Sequence, residues 1–423
     1  MQDTLLRLLS TGGLWVMLGA AWALSDNRRK IQWRLLFWGI GLQALLGLLV
    51  LRTGLGTGLF NGVRRVFDLL TEASTEGAEF VFGNLSRFFM LERVLVPGPD
   101  GVMAAQEPFA INAIFAFNVL PVIIFVAGIA AILQHLGIIQ AVVRACAWLM
   151  RRTLKTSGAE TFATALLVFT GIESMSAVGA YLQRMTRSEL FTVMVAFLST
   201  IAASVMVAYA SFGAEPGHLL AASLMSAPAA ILISKFMIPE TEKPETLGDV
   251  SVSIPVESEN IFDAAVGGAS LGLNMALHVA AMLIVFVGLI HLLDQASLAL
   301  TSSPATQWLG WFFYPFAFAM GVPFNDLPAF SQLLATKTIF NEFIAYQQLQ
   351  THIIDGSLSP RSVVIATYAL CGFANPGSLG ILIGGISAIV PARRAEVARL
   401  GLRALAGGTL AAFMTACIAG IFG

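Results

Sequence analysis

A chain of 423 residues that is 57% hydrophobic and only 12% charged, with a formal net charge of -1, has a mean hydropathy of +0.79, well above that of a water-soluble domain of its size. This composition predicts a multi-spanning membrane protein, and it excludes a nucleic-acid binder, because no basic arm or stripe is available to neutralise phosphates. Three cysteines, Cys146, Cys371 and Cys417, lie far apart in apolar surroundings, as small core residues do and as metal or disulfide frameworks do not.

The first apolar stretch, "LLRLLSTGGLWVMLGAAWALS", has no basic region before it and "DNRRK" after it, the reverse of a cleavable signal peptide, so it is expected to remain as the first span. A crossing takes about 20 apolar residues. Such stretches occur at about 4–24, 34–52, 109–135, 189–210, 217–237, 264–292, 362–388 and 400–422, which predicts eight transmembrane helices. Residues 55–95 mix apolar and charged positions at helical spacing, which suits a helix lying in the membrane interface. Two further apolar stretches, about 159–184 and 307–346, are expected to enter the membrane and return on the same side as re-entrant hairpins. The stretch "PETEKPETLGDVSVSIPVESEN" is a polar linker between two unequal halves. Most Lys and Arg fall in loops that share one side if the amino terminus is outside. Arg28, Arg151, Arg184 and Arg393 are therefore expected on the cytoplasmic face and both termini on the other.

An internal echo accompanies this order. "GIESMSAVGAYL" in the first hairpin and "FNEFIAYQQL" in the second each carry an acid followed four residues later by Ala. Each hairpin is followed by a span interrupted by small or polar residues, "LSTIAASVMVAY" and "CGFANPGSLG". Broken segments at corresponding positions point to an inverted repeat with a transporter's binding site at its interface.

The break at "CGFANPGSLG" follows from elementary chemistry. Pro376 lacks an N–H and clashes with the carbonyl of Gly372, and Asn375 before it is pushed out of the helical region. Asn375 then fits as the N-cap of a second half-helix, with Pro376 at its first position and Ser378 in its first turn. Irregular backbone at membrane depth is tolerated where protein or a water-filled cavity satisfies it, so this pattern predicts a polar cavity; the alternative is a proline kink patched by neighbouring helices. Glu342 lies in an apolar hairpin, where an ionised carboxylate costs at least about 2.5 kcal/mol unless paired or hydrated; it is functional or it is paired, with Lys337 as the candidate partner. Glu173 has the same standing in the first hairpin. Ser199, Thr200 and Ser204 are candidate cation or substrate ligands, or bond the carbonyl one turn back. The five histidines are scattered with no HExxH pair, and none is assigned to a metal.

At "GVPFNDL", "NEFIAY", "CGFANPGSLGILIGG" and "PARRAEVARLG" the chain resembles the concentrative nucleoside transporter family in its compact prokaryotic form. The resemblance implies a homotrimer in the cell membrane that moves nucleosides by an elevator-like step coupled to Na+ or H+. It implies no other cofactor and no enzymatic activity. Domains follow as a scaffold over 1–150, a first transport half over 151–238, a linker over 239–261, a scaffold span over 262–300 and a second transport half over 301–423. By matching positions, Glu342 would meet the ribose hydroxyls, Phe373 the nucleoside face, and Asn375 and Ser378 the ribose, with Glu173 and Val205 as further substrate contacts. Thr170, Thr200 and Ile201 would be ion ligands. The first hairpin departs from the family: Gly171, Ile172, Glu173 and Ser174 stand where Gly-Gln-Thr-Glu is typical. A one-residue deletion keeps the acid as Glu173, whereas an ungapped alignment sets Ile172 and Ser174 at the Gln and Glu positions. In the ungapped alignment Leu167 stands where sodium-coupled members usually have an Asn ligand, and this favours protons, or a weak sodium dependence, as the driving ion, with Glu173 the candidate protonation site. An intramembrane enzyme using Glu173 and Glu342 is the rival from another class, and it lacks a recognisable nucleophile or metal cluster. A transporter of another ribosyl compound or a nucleobase is the nearer alternative.

Overall fold

A computed structural model describes residues 2–30, 32–86, 89–91, 95–97, 103–105, 109–111, 114–171, 178–246 and 258–423. Helices dominate: α1 (Gln2–Ala23), α2 (Trp33–Arg52) and α3 (Gly54–Phe82) precede four three-residue strands, β1 (Phe89–Leu91), β2 (Leu95–Pro97), β3 (Met103–Ala105) and β4 (Phe109–Ile111). The strands form two antiparallel ribbons, β1 with β4 and β2 with β3. The helix expected over 55–95 therefore stops at Phe82, where Gly83 takes a positive φ of 58°.

The helices continue with α4 (Phe115–Asn118), α5 (Leu120–His135), α6 (Ile138–Leu154), α7 (Gly158–Phe169) and α8 (Gly179–Leu182). Next come α9 (Arg187–Ser199), α10 (Ala203–Ser211), α11 (Pro216–Met237) and the 41-residue α12 (Ile261–Thr301). The carboxy-terminal third holds α13 (Ala305–Ala319), α14 (Leu327–Ile339), α15 (Glu342–Ile354), α16 (Pro360–Leu370), α17 (Pro376–Ile389) and α18 (Arg394–Phe422).

Among the described residues, 7 helical segments are long and apolar enough to cross a membrane. The interrupted spans expected over 189–210 and 362–388 correspond to the pairs α9 with α10 and α16 with α17. The second expected hairpin, 307–346, resolves into α13, α14 and the start of α15. Gly321 at φ 78° follows α13, and the tight break between α14 and α15 comes at Phe340 and Asn341.

α18 is the central post, packed against α1, α2, α9, α11, α16 and α17. The two interrupted helices meet at their interruptions. Gly372, at φ 151°, passes so close to the end of α9 that a Cβ there would lie 3.0 Å from the Ser199 carbonyl oxygen. Only glycine combines that backbone angle with that approach.

The basic loops are tied together at one end of the bundle. The Asp26 carboxylate pairs with Arg187 at 3.3 Å and Arg403 at 2.7 Å; Arg34 donates to the carbonyls of Arg152 and Thr153, and Arg393 to those of Leu182 and Met185. The termini gather elsewhere: Arg7 donates to the Gly423 carbonyl, and Arg361 to those of Gly321 and Gly420. At the basic end a buried ion pair, Lys235 to Glu160 at 2.7 Å, joins α11 to α7, while Lys235 also reaches Ser188 on α9 at 3.0 Å. Lys235→Met leaves Glu160 buried without its cation, which costs about 3–5 kcal/mol. A clear fall in melting temperature in detergent is expected, largely recovered by Lys235→Met combined with Glu160→Leu.

Candidate functional site

Each broken helix must find partners for the backbone groups that its break releases. At the carboxyl end of α16, the Thr367 carbonyl accepts from the Tyr346 hydroxyl at 2.8 Å, that of Tyr368 from the Cys371 N–H at 3.2 Å, and that of Ala369 from Lys337 Nζ at 3.3 Å. Lys337 is fully buried, with its ammonium 5.8 Å from the Phe413 ring centroid. A cation at a helix carboxyl terminus answers the negative end of the dipole. Among the described residues Lys337 makes no ion-pair contact, and Glu342 acts on it only from a distance, so the expected alternative of a direct Lys337–Glu342 pair gives way to a capping role.

The amino ends of the facing half-helices are capped alike. Asn375, extended at φ -146° and ψ 166°, accepts from the Ser378 N–H at 2.9 Å and starts α17 at Pro376, as the sequence chemistry requires. Asn341, at φ -162° and ψ 166°, accepts from the Ile344 N–H at 2.9 Å and starts α15 at Glu342. Two positive helix ends thus converge on Glu342, which is 3% exposed. Its Oε1 accepts from the Tyr209 hydroxyl at 2.9 Å and its Oε2 from Asn375 Nδ2 at 2.6 Å. A carboxylate offers about four lone-pair sites. The backbone N–H of Glu342 also bonds its carboxylate, so capacity for about one further donor remains.

Beside this carboxylate lies a cavity of about 300 Å³, the size of a small-molecule pocket. Glu342, Asn375 and Ser378 line it with Asn341; Phe373 and Phe197, 5.8 Å apart between ring centroids, supply an aromatic wall, and Ala202 and Val205 at the start of α10 close one side. Five expected substrate residues, Glu342, Phe373, Asn375, Ser378 and Val205, thus border one cavity. Glu173, together with Ile172 and Ser174, lies outside the described residues.

The expected ion ligands lie behind the cavity. Thr200 and Ile201 are buried just past the carboxyl end of α9, and Thr170 caps the carboxyl end of α7. Thr200 Oγ1 donates to the carbonyls of Ala196 at 2.9 Å and Leu167 at 3.3 Å, and Thr170 Oγ1 to that of Leu166 at 2.8 Å. Two helix carboxyl termini converge here, a cluster of oxygens that suits a hard cation. Leu167, which lacks a ligating side chain, contributes its carbonyl to this cluster. Among the described residues no group of His, Cys, Asp and Glu has metal-site geometry.

Four polar residues of the site, Tyr209 behind the lining and Asn341, Asn274 and His278 within it, lie outside the sequence expectation. Tyr209 in "VMVAYAS" gives no local sign that it reaches Glu342 across the fold. Asn341 was visible as a polar neighbour of Glu342. Asn274 and His278 of α12, spaced four apart in an apolar helix, carried a periodic signal that went unused.

Comparison with known proteins follows the same plan. Residues 12–85 match the family model for the Na+ dependent nucleoside transporter N-terminus and residues 218–420 that for its C-terminus, while residues 116–216 match the model Gate, nucleoside recognition. Solute carrier family 28 member 3 of Rattus norvegicus is 38% identical over 98% of this chain, and the chain spans 58% of that relative's length. The uncharacterized transporter YutK of Bacillus subtilis (strain 168) is 36% identical over 97% of this chain and 99% of its own length. The structure of CNTnw in an inward-facing substrate-bound state superposes with a TM-score of 0.89 at 33% identity, covering 100% of both chains.

Asn375 combines two duties that substitution separates. Asn375→Ser keeps a helix-capping oxygen and loses the donor to Glu342, whereas Asn375→Asp keeps the cap and opposes two carboxylates. Asn375→Ser is expected to hold the melting temperature within a few degrees and weaken ligand binding about tenfold. Asn375→Asp is expected to lower both steeply. Thermal melts with and without ligand read the two effects apart.

Proposed function

The chain belongs to the concentrative nucleoside transporter family, and we propose on that footing that it imports nucleosides by ion-coupled secondary active transport. One observation carries the assignment to the sugar: a buried carboxylate, held by Tyr209, Asn375 and its own backbone N–H between two capped helix amino ends, retains acceptor capacity beside a cavity. Vicinal ribose hydroxyls are the matching donors, and a solute without them would strand buried polar groups. Phe373 offers a face for the heterocycle, Ser378 and Asn375 flank the ribose, and Val205 completes the wall. Glu173 is retained as a candidate contact to the base.

The site is proposed to move with the transport halves, residues 151–238 and 301–423, against a scaffold of residues 1–150 and 262–300 that includes α5 and α12. The exposed apolar length of α12, of which only 6% is buried along its most apolar stretch, suits lipid or neighbouring protomers of a homotrimer. The basic end of the bundle is assigned to the cytoplasm by the excess of Arg and Lys in its loops, which sets both termini on the opposite side. A reagent confined to the outside that labels cysteines introduced at Arg28, Arg151, Arg184 or Arg393 would overturn this orientation.

Sodium is the coupling ion that the family supports. Its proposed ligands are Thr200 Oγ1, the Ile201 carbonyl and Thr170, where the carboxyl ends of α7 and α9 add carbonyl oxygens. Replacing sodium by choline at fixed pH is expected to abolish concentrative uptake in proteoliposomes, in Glu173→Gln as in the wild type. Uptake indifferent to sodium, with a pH dependence that vanishes in Glu173→Gln, would assign coupling to protons instead.

Glu342→Gln keeps the shape and removes the charge from the hydrogen bonds to ribose, which are about twice as strong when charge-assisted. A loss of nucleoside affinity on the order of tenfold is expected from weakening one such bond, with folding retained. Wild-type affinity by calorimetry in this variant would refute the sugar site. Competition by free nucleobases and other ribosyl compounds distinguishes the substrate class, with nucleosides expected to compete best.

A further inference from the structure

The cavity has a wall that belongs to neither broken helix. It comes from α12, which rests on α5 through Gly268 and Gly272. A Cβ at Gly268 would lie 2.5 Å from the Ala131 methyl, and one at Gly272 2.8 Å from that of Ala127. That close seating holds one face of α12 against α5. Leu271, Asn274, Met275 and His278 line the cavity from this helix. Asn274 and His278 are its hydrogen-bonding side chains there, and both are exposed.

Their chemistry is specific. His278 Nδ1 lies 2.7 Å from the Asn274 carbonyl oxygen. A backbone carbonyl only accepts, so Nδ1 carries the proton and Nε2 of the neutral ring is left as an acceptor. The Asn274 amide offers a donor and an acceptor one helical turn away. The sugar-facing groups lie on α15 and α17, and the rest of the lining outside α12 includes the aromatic and aliphatic Phe197, Phe373 and Val205. A nucleoside needs this division: polar groups for the ribose at one end, apolar surfaces for the ring faces, and donors and acceptors for the edge of the base.

We propose that Asn274 and His278 are specificity-determining residues that hydrogen-bond the edge of the heterocyclic base, with Nε2 of His278 accepting from a ring N–H or an exocyclic amine. The assignment rests on the nucleoside reading of the cavity and extends it to base selection from α12. Bases are discriminated because one that presents an acceptor to Nε2 leaves two acceptors facing each other.

The experiment is competition by uridine, cytidine, adenosine and guanosine, with their 2′-deoxy counterparts, against labelled nucleoside uptake in proteoliposomes. It compares the full-length wild type with Asn274→Leu, His278→Phe and His278→Gln. The expected result is a flattened ranking of bases in Asn274→Leu and His278→Phe, the best base losing about tenfold. The preference for ribose over 2′-deoxyribose is unchanged, and His278→Gln, which retains an acceptor, recovers the ranking. A base ranking preserved within twofold in both Asn274→Leu and His278→Phe, with ribose preference intact, overturns the role of α12 and leaves the sugar site standing. Glu342→Gln in the same panel separates the two readings, because ribose preference that persists there removes the nucleoside reading itself.

Discussion

Two helices broken at membrane depth and crossed at their breaks form the constraint on which the rest of this structure depends. Lipid offers no hydrogen bonds, so each break must be satisfied by protein, and the cost of failure is several kcal/mol per backbone group. The crossing meets this demand locally. Gly372 lets the α16–α17 break lie against the Ser199 carbonyl, Lys337 and Tyr346 close the carboxyl end of α16, and Thr200 closes that of α9 while reaching across to Leu167 on α7. Satisfying one break brings in side chains from the next element. The result is a ring of helices that cannot be loosened one at a time.

That arrangement also sorts charge. Carboxyl ends of helices gather around Thr170, Thr200 and Ile201, and amino ends gather around Glu342, so a region favourable to a cation and one favourable to an anion arise from helix direction alone. Lys337 and Glu342, five residues apart, therefore attract each other only from a distance: the first answers a carboxyl terminus and the second stands at an amino terminus. Stability and binding use the same atoms at this point. Asn375 caps α17 with its oxygen and holds Glu342 with its nitrogen, and Tyr209, stacked 4.3 Å from Tyr346 between ring centroids, is fixed by packing before it donates.

At the basic end, the ion pair of Lys235 with Glu160 and the Asp26 contacts to Arg187 and Arg403 bind loops that the sequence separates widely. The Arg and Lys of these loops hold the helices in register. Exposed apolar length on α12 is the complement of this tight end, because the helix is seated on α5, turns one side to the cavity and leaves most of its most apolar stretch uncovered.

The sequence by itself determined what backbone chemistry enforces. Asn-Pro must break a helix, Asn before Pro must be extended, a capping oxygen must follow, and a carboxylate in an apolar run must be near polar partners; Asn375, Pro376 and Glu342 were legible for those reasons, since each effect acts within a few residues. The span boundaries were legible from hydropathy where one helix crosses uninterrupted, as in α2 and α11. Where apolar text continued through a turn, as over 307–346, hydropathy could not separate α13, α14 and α15, because the reversals depend on local backbone angles rather than on polarity. Only the tertiary structure decided the partners. Tyr209 meets Glu342 from 133 residues away, Lys337 turns to Ala369 rather than to the nearer acid, and Asn274 and His278 face the cavity because glycines seat α12 on α5. Such choices follow from which breaks cross and which faces pack, and that information is distributed over the whole chain.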